Sequence, residues 1–497
     1  MKFDKLISIC NPTKISGPEP EIVGPLFQDS REVEPHSVFI AVRGTQVDGH
    51  RFINNAIEHG ALVIITEEDI SDEHPEVCMV QVENSRQILG PLSQAFEDYP
   101  ERDLTSVGIT GTNGKTTIAT LVYQVLKQLD LKVSLLGTVI KYIGDKKFPS
   151  RLTTSDPIEL AHDMHRIVRA GSNYLVMEVS SHALEQERTG GLHFKVTAFT
   201  NLSRDHLDYH KDFESYARAK KKLFDGLDKD AVAIINGDDP NGSLMVEDTN
   251  ATVRTFSFDK KSSADIHCKL KSNSVDGLEV MVSDVNIKSP LIGRFNAYNL
   301  VEVFLICQSL GLDKTKIAEA LSSAPGAEGR MEKISIDSDI QQPLVLVDYA
   351  HTPDALKNVL KTLNEVKTGN QKIHVVFGCG GDRDRGKRPE MAKITEYFAD
   401  RIIVTSDNPR NEEPDAIIDE IFKGFAHSED IMRITERREA INNAIELADE
   451  HTIVLIAGKG HETYQEIRGK RHPFDDRKMA RKALLKRNNN RKNREVV

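Results

Sequence analysis

Gly111, Gly114, Lys115 and Thr116, in the run SVGITGTNGKTTIATLV (106–122), are the working parts of a phosphate-binding loop. Glycines let backbone N–H groups turn toward phosphate oxygens. A lysine reaches the terminal phosphates, and a hydroxyl suits Mg2+. The spacing departs from GxxxxGK[ST], which needs a glycine where Ile109 stands. LTSVGIT reads as a buried strand entering the loop, and TTIATLVYQVLKQL has helical periodicity behind it. The start of that helix adds its own attraction for an anion. The plain alternative is a glycine-rich turn with no ligand. A lysine and two threonines, Thr116 and Thr117, in register after a buried strand argue against it.

Two more segments end apolar strands in reactive residues. MEVSSHALEQERTGG puts Glu178 near a strand end, where a lone carboxylate is costly unless it meets a cation. NLSRDHLDYH offers Arg204, Asp205, His206, Asp208 and His210. A single histidine is more often just hydrogen-bonded, so the weight here lies on location. EVSSH lacks the glycine elbow that exposes a catalytic serine.

The elements that must hold these residues fall into about three domains, given 497 residues. FEDYPERD, polar with a proline, sets a first boundary near residue 100, and APGAEGRMEKISIDSDIQQP (324–343) a second. The expected domains are 1–100, 101–332 and 333–497. SVFIAVRG and FINNAIEHGALVIITEE give the first a small α/β pattern. YLVMEVSSH, VTAFTNLSRDH and AVAIINGDD alternate with helical stretches, which implies a mostly parallel sheet in the second. PLVLVDYAHTP, KIHVVFGCGGDRD, RIIVTSDNPR and TIVLIAGKGHE are strand cores ending in polar or glycine-rich stretches. Open α/β sheets bind ligands at such strand ends, so the third domain is also expected to be functional. From Arg477 onward nine Lys/Arg face one acid. This reads as a solvated, partly disordered tail rather than an RNA contact.

Composition narrows the field. A net charge of −11 argues against nucleic acid as a partner, since a phosphate backbone demands a basic surface. Five scattered cysteines, with no CxxC or Cys/His cluster, read as free thiols in a reducing cytoplasm. No apolar run approaches the ~18 residues of a membrane helix, and the start is not a convincing signal peptide. The expectation is a cytoplasmic monomer with no membrane partner.

The ordered segments GITGTNGKTT, EVSSHAL, TNLSRDHLDYH, YARAKKKLF, GRFNAYN, GRMEKI, DYAHTPDAL, GGDRDRGKRP, DNPRNEEP and GKGHE resemble the Mur ligases over nearly the whole chain. These are ATP-dependent amino-acid ligases of cell-wall peptide synthesis. The resemblance is greatest to members that add the third residue to UDP-MurNAc-L-Ala-D-Glu. It implies a small N-terminal α/β uridine-nucleotide domain, a central P-loop ATPase domain and a C-terminal Rossmann-like α/β domain. In this family the loop has the TGTNGKT form. The terminal phosphate goes to a carboxylate, and an amine attacks the acyl phosphate.

By the same resemblance, Gly111, Thr112, Asn113, Gly114, Lys115, Thr116 and Thr117 hold ATP, with Asn296 and Asn299 on the adenine side and Arg330 and Asp348 as further ATP contacts. Thr116, Glu178, His206 and a carbamylated Lys220 are the implied Mg2+ ligands. A solvated charge run fits Lys221 and Lys222 better than Lys220. Ser30 and the GTQVDG loop, with Thr45, Gln46 and Val47, resemble the uridine side. Thr153, Thr154, Ser180, Gln186 and Arg188 resemble contacts to the muramoyl peptide. Leu152 stands where relatives often carry Asn. Arg383, Asp407, Asn408, Pro409, Arg410, Gly458 and Glu462 resemble the amino-acid pocket. The arginine of DNPR would grip the extra carboxylate of meso-diaminopimelate with two parallel hydrogen bonds. Alternatives are an L-lysine-adding ligase, a folylpolyglutamate-type synthetase, and a regulatory ATP switch that ligates nothing.

Overall fold

The computed structural model describes residues 1–45, 47–69 and 74–495. Its strands, in chain order, are β1 Lys14–Ser16, β2 Leu26–Phe27, β3 Val38–Ile40, β4 Val63–Thr66, β5 Cys78–Gln81, β6 Thr105–Thr110, β7 Val133–Leu136, β8 Ile140–Ile143, β9 Lys146–Pro149, β10 Tyr174–Glu178, β11 Phe194–Phe199 and β12 Val232–Asn236. They continue with β13 Thr252–Ser257, β14 Ile266–Ser274, β15 Gly277–Val282, β16 Val285–Ser289, β17 Glu332–Ile334, β18 Leu344–Asp348, β19 Lys372–Phe377, β20 Arg401–Val404, β21 Met432–Arg433, β22 Thr452–Ala457, β23 Tyr464–Ile467 and β24 Lys470–Pro473. The chain forms two compact units, Met1–His267 with Glu302–Ile317, and Cys268–Val301 with Ala318–Val497.

The first unit holds two sheets. The N-terminal one has the order β1-β5-β4-β3-β2 and is parallel except at β1. Its apolar residues divide between two cores, Val38, Ile40, Val63 and Ile65 on one face and Phe39 and Ile64 on the other. That split follows from the two-residue period of a strand. The second sheet runs β13-β12-β11-β6-β10-β7-β8-β9 and is parallel from β13 to β7, with the β8–β9 hairpin antiparallel at its edge. Asp156 starts the helix Pro157–Arg169 by accepting from the Ile158 and Glu159 N–H groups, with Pro157 in the first turn. The FEDYPERD segment is less of a linker than its composition suggested, because Pro100 and Glu101 in a 3-10 turn are buried.

In the second unit β14, β15 and β16 form an antiparallel meander. The larger sheet has the order β17-β18-β22-β19-β20-β21, antiparallel only at β17. Leu346, Ile373, Val375, Val404 and Leu455 face one core, with the helices Pro353–Val366, Lys387–Phe398 and Pro414–Phe422. Val345, Val347, Val376, Ile403 and Val454 face the other, with the helices Arg437–Glu446 and Asp476–Glu495. Helices on both faces of a mainly parallel sheet make a doubly wound layer.

The basic tail departs from expectation. Asp476–Glu495 is a helix in which Ala480, Ala483, Leu484, Arg487 and Asn488 are buried. Their i, i+3, i+4, i+7 spacing puts them on one face, while Lys478, Arg481, Lys482 and Lys486 are exposed. Asp476, at its start, pairs with Arg437 at 2.6 Å, both side chains fully buried. Composition hid a narrow but sufficient apolar stripe.

Candidate functional site

The phosphate loop is built where β6 ends. Gly111 has φ 146, and a Cβ there would lie 1.9 Å from Thr200 Oγ1, so no side chain fits. The end of the neighbouring β11 ties the loop down. Thr112 N–H donates to the Asn201 carbonyl at 2.8 Å and Asn113 N–H to Asn201 Oδ1 at 3.0 Å. Gly114 precedes the helix Lys115–Gln128, which puts Thr116 and Thr117 in its first turn. Lys115 Nζ donates to the carbonyls of Gly111 and Thr112 at 2.8 and 2.9 Å, so its charge is held at the loop.

Glu178, at the end of β10, is buried beside this loop. Thr116 Oγ1 donates to its Oε2 at 2.8 Å, Thr138 Oγ1 to the same oxygen at 3.0 Å, and Thr138 N–H to Oε1 at 2.8 Å. A carboxylate and a hydroxyl in contact beside a phosphate loop fit a hard divalent cation, which prefers oxygen ligands. Lys220 lies on the helix Phe213–Asp225 and is almost fully buried. Its Nζ donates to the Gly111 carbonyl at 2.8 Å and sits 4.6 Å from the Tyr216 ring centre. Burial, and then Lys115 beside it, push its ammonium well below the ordinary lysine range. Lys221 instead pairs with Asp225 and Asp248, and Lys222 with Glu185.

His206 stands further out and its side chain is half-exposed, paired with Asp205 at 3.5 Å. Its ring lies 4.9 Å from that of His182 and 6.2 Å from that of Tyr216. Burial pushes the Tyr216 phenol up to about 12, and its hydroxyl bonds Thr112 Oγ1 at 3.0 Å. Tyr216 therefore links loop, lysine and histidine. Among the described residues the one three-member cluster of candidate metal ligands is elsewhere, at Asp48, His50 and Glu68. There both His50 nitrogens are engaged, with Asp48 and with the Glu67 N–H.

The implied muramoyl-peptide residues gather behind Glu178. Thr154 Oγ1 donates to the Glu178 carbonyl at 2.9 Å and accepts from Ser180 N–H at 3.1 Å. Thr153 Oγ1 lies 3.1 Å from Thr138 Oγ1 and donates to it, because the one Thr138 hydroxyl hydrogen goes to Glu178. Arg188 reaches the Thr154 carbonyl at 2.9 Å and grips Gln186 Oε1, while Gln186 Nε2 donates to the Tyr209 hydroxyl at 3.0 Å. Leu152 is exposed. On the uridine side Ser30 is buried, whereas Thr45 and Val47 lie on an exposed turn and Gln46 falls outside the described residues.

In the second unit Asn296 and Asn299 are buried neighbours on the helix Arg294–Ser309, joined by an Asn299 Nδ2 to Asn296 Oδ1 bond of 2.9 Å. Asp348 ends β18 and accepts from the Met331 and Ala350 N–H groups at 2.7 and 2.8 Å. Burial raises its carboxyl above the usual range even though Arg330 is close. The Arg330 guanidinium lies 4.9 Å from the Tyr349 ring centre, with a buried Nε that has no hydrogen-bond partner among the described residues.

The carboxyl ends of β18, β19, β20 and β22 surround a cavity of about 540 Å3. Arg383, Asp407, Asn408, Arg410, Gly458 and Glu462 all line it. Pro409 does not, and serves the turn, where its carbonyl accepts from Glu412 N–H. Arg410 takes φ 50, and its Nη1 donates to the Gly381 carbonyl at 2.8 Å. Glu462 Oε2 accepts from Asn408 Nδ2 at 2.8 Å and from the buried Lys459 Nζ at 2.7 Å. Gly458 has φ 120, and a Cβ there would meet Asp407 Oδ2 at 2.5 Å.

Residues 26–97 match the Mur ligase family catalytic domain, 109–307 the Mur ligase middle domain and 329–460 the Mur ligase glutamate ligase domain. The chain is 45% identical, over 97% of its length and 99% of the relative, to a protein of Cytophaga hutchinsonii named UDP-N-acetylmuramoyl-L-alanyl-D-glutamate--2,6-diaminopimelate ligase. The chain belongs to the Mur ligase family. A relative of the same name from Parabacteroides distasonis is 43% identical over 97% of this chain and 98% of its own. A solved Mur ligase structure, also titled as that 2,6-diaminopimelate ligase, is 34% identical with a TM-score of 0.72, covering 98% of this chain and 99% of that one.

Reading the sequence of this Mur ligase missed several residues. Thr138 follows β7, and that strand end was its only signal. Tyr216 and His182 look ordinary within YARAKKKLF and EVSSHAL. Tyr349, His351 and Lys387 line the cavity. They sit inside DYAHTPDAL and GGDRDRGKRP, which marked the segments without saying which side chains turn inward.

Proposed function

We propose that this Mur ligase uses ATP to join meso-diaminopimelate to the D-Glu carboxyl of UDP-MurNAc-L-Ala-D-Glu, a step of peptidoglycan precursor synthesis in the cytoplasm. The observation that carries this reading is the cavity that draws Arg383, Asn408, Arg410 and Glu462 together at four strand ends. It offers a planar guanidinium for a carboxylate and a carboxylate for an ammonium, which a doubly zwitterionic amino acid requires. L-lysine lacks the second carboxylate. The proposed domains are 1–100 for the uridine nucleotide, 101–332 for ATP and 333–497 for the amino acid.

Lys115 and the loop N–H groups hold the phosphates and offset the charge that develops as the γ-phosphoryl group moves to the D-Glu carboxylate. The resulting acyl phosphate has a good leaving group, and the incoming amine displaces phosphate to form the amide. Thr116, Glu178, His206 and Lys220 would hold Mg2+, which neutralises phosphate charge when bound. We further propose that Lys220 carries a carbamate. A neutral amine adds to CO2, forming an N–C bond and releasing one proton. Burial that disfavours the ammonium supports this.

The deciding experiment is ligation by the full chain with UDP-MurNAc-L-Ala-D-Glu, ATP and a panel of amino acids. Phosphate release that requires both the acceptor and diaminopimelate is expected. ATP hydrolysis indifferent to both would identify a switch and end the ligase reading. For the carbamate, Lys220→Ala should lose most activity and regain part of it with millimolar short carboxylic acids. Full activity of Lys220→Ala without such acids would refute it.

A further inference from the structure

An amino acid reaches the cavity as an ammonium ion, and an ammonium cannot attack an acyl phosphate. Something must take its proton. Three of the five lining acids, Glu462, Asp384 and Asp407, are poorly suited. Glu462 already accepts from Asn408 and Lys459, Asp384 accepts from the Gly386 N–H at 2.8 Å, and Asp407 Oδ2 is buried with no hydrogen-bond partner among the described residues. Ordinary carboxylates are also weak bases near neutral pH.

His351 is placed differently. It follows β18 and lines the same cavity. Its Nδ1 lies 2.9 Å from the Tyr349 carbonyl, which can only accept, so Nδ1 carries the hydrogen. That leaves Nε2 with its lone pair, and no described side chain or N–H group bonds it. The ring is braced by the Tyr349 ring at 4.6 Å, and the backbone by Lys387 Nζ on the His351 carbonyl at 2.9 Å.

We propose that His351 Nε2 is the general base that deprotonates the attacking amino group. This deepens the ligase reading and rests on it. The step balances. Nε2 takes one proton from the ammonium, and the amine nitrogen bonds the acyl carbon. The C–O bond to phosphate then breaks, and the second amine proton leaves with phosphate as the amide forms. Neutrality of the imidazole follows from its surroundings. Burial lowers its affinity for a proton, Lys387 and Arg330 lower it further, and Asp407 and the Tyr349 carbonyl oppose them without prevailing. Asp354, Asp384, Glu390 and Arg383 complete the charged lining.

The test is His351→Gln in the full-length protein, since glutamine can still donate to the Tyr349 carbonyl. Ligation of diaminopimelate should fall about a hundredfold or more near neutral pH, in kcat rather than KM, as for the loss of a general base. The plateau that wild type reaches above its acidic limb should disappear, and the variant rate should climb steadily with pH as free amine accumulates. Hydroxylamine, already largely neutral near pH 7, needs no base. Hydroxamate formation from UDP-MurNAc-L-Ala-D-Glu and ATP should therefore survive in His351→Gln at close to the wild-type rate. Ligation within threefold of wild type, or equal loss of ligation and hydroxamate formation, would overturn the proposal. Wild type that forms neither amide nor hydroxamate would overturn the ligase reading itself.

Discussion

At the scale of single residues, the proposed roles in selectivity and in phosphoryl transfer call for different tests. Arg410 is held by the Gly381 carbonyl and lies 3.5 Å from Glu466, which leaves its guanidinium pinned at the cavity wall. Removing one partner of a desolvated charge pair costs about 2–5 kcal/mol, roughly two orders of magnitude or more in discrimination. Arg410→Ala is expected to erase most of the preference for meso-diaminopimelate over L-lysine, read as the ratio of the two kcat/KM values. Equal use of both amino acids by wild type would defeat the specificity claim alone. Lys115→Ala should instead abolish turnover with every amino acid while circular dichroism stays unchanged, because it acts on charge common to all of them. The position of the loop and of the cavity lining was legible in the sequence because residues at strand ends form local runs. Loop glycines, a lysine and DNPR announce themselves over a few residues. Thr138, Tyr216 and His351 were not legible, because what they touch depends on which elements lie side by side.

Elements show the same division. Strand cores such as LTSVGIT and TIVLIAG were readable because they are short apolar runs with polar ends. The β14–β16 meander was missed although IHCKLK and VNIK alternate, and the β8–β9 hairpin because Lys141 takes a buried position in it. The C-terminal helix is the instructive case. Its mean charge predicts a solvated tail, yet Leu484 is fully buried and Ala480 and Ala483 pack beside it. Leu484→Ala should therefore cost about 2–5 kcal/mol, as core truncations do. Lys482→Glu, on the exposed face, should leave the urea midpoint where it was. The pair of urea titrations is decisive. A tail that is merely solvated would tolerate both changes equally.

At the scale of the whole molecule, Glu302 is a buried carboxyl outside the residues assigned to the candidate site. Glu302, in the helix Arg294–Ser309, is completely buried, and among the described residues neither carboxylate oxygen has a hydrogen-bond partner. Burial pushes its carboxyl well above the usual range, so the folded chain keeps the proton. The sign of the stability effect follows. Below the ordinary carboxyl pKa both folded and unfolded chains are protonated, and Glu302 exacts nothing. As pH rises past that value the unfolded chain ionises and is stabilised while the folded chain is not. Stability then declines by about 1.4 kcal/mol per pH unit until the folded-state pKa is reached. Glu302→Gln cannot ionise and should remove this decline while keeping the shape of the side chain. Urea unfolding of both proteins at a series of pH values from 4 upward, about the ordinary glutamate pKa, is the measurement. The expected result is a gap between them that opens as pH rises, with the glutamine variant the more stable at neutral pH. Parallel stability curves would show that the folded chain accommodates the Glu302 charge after all.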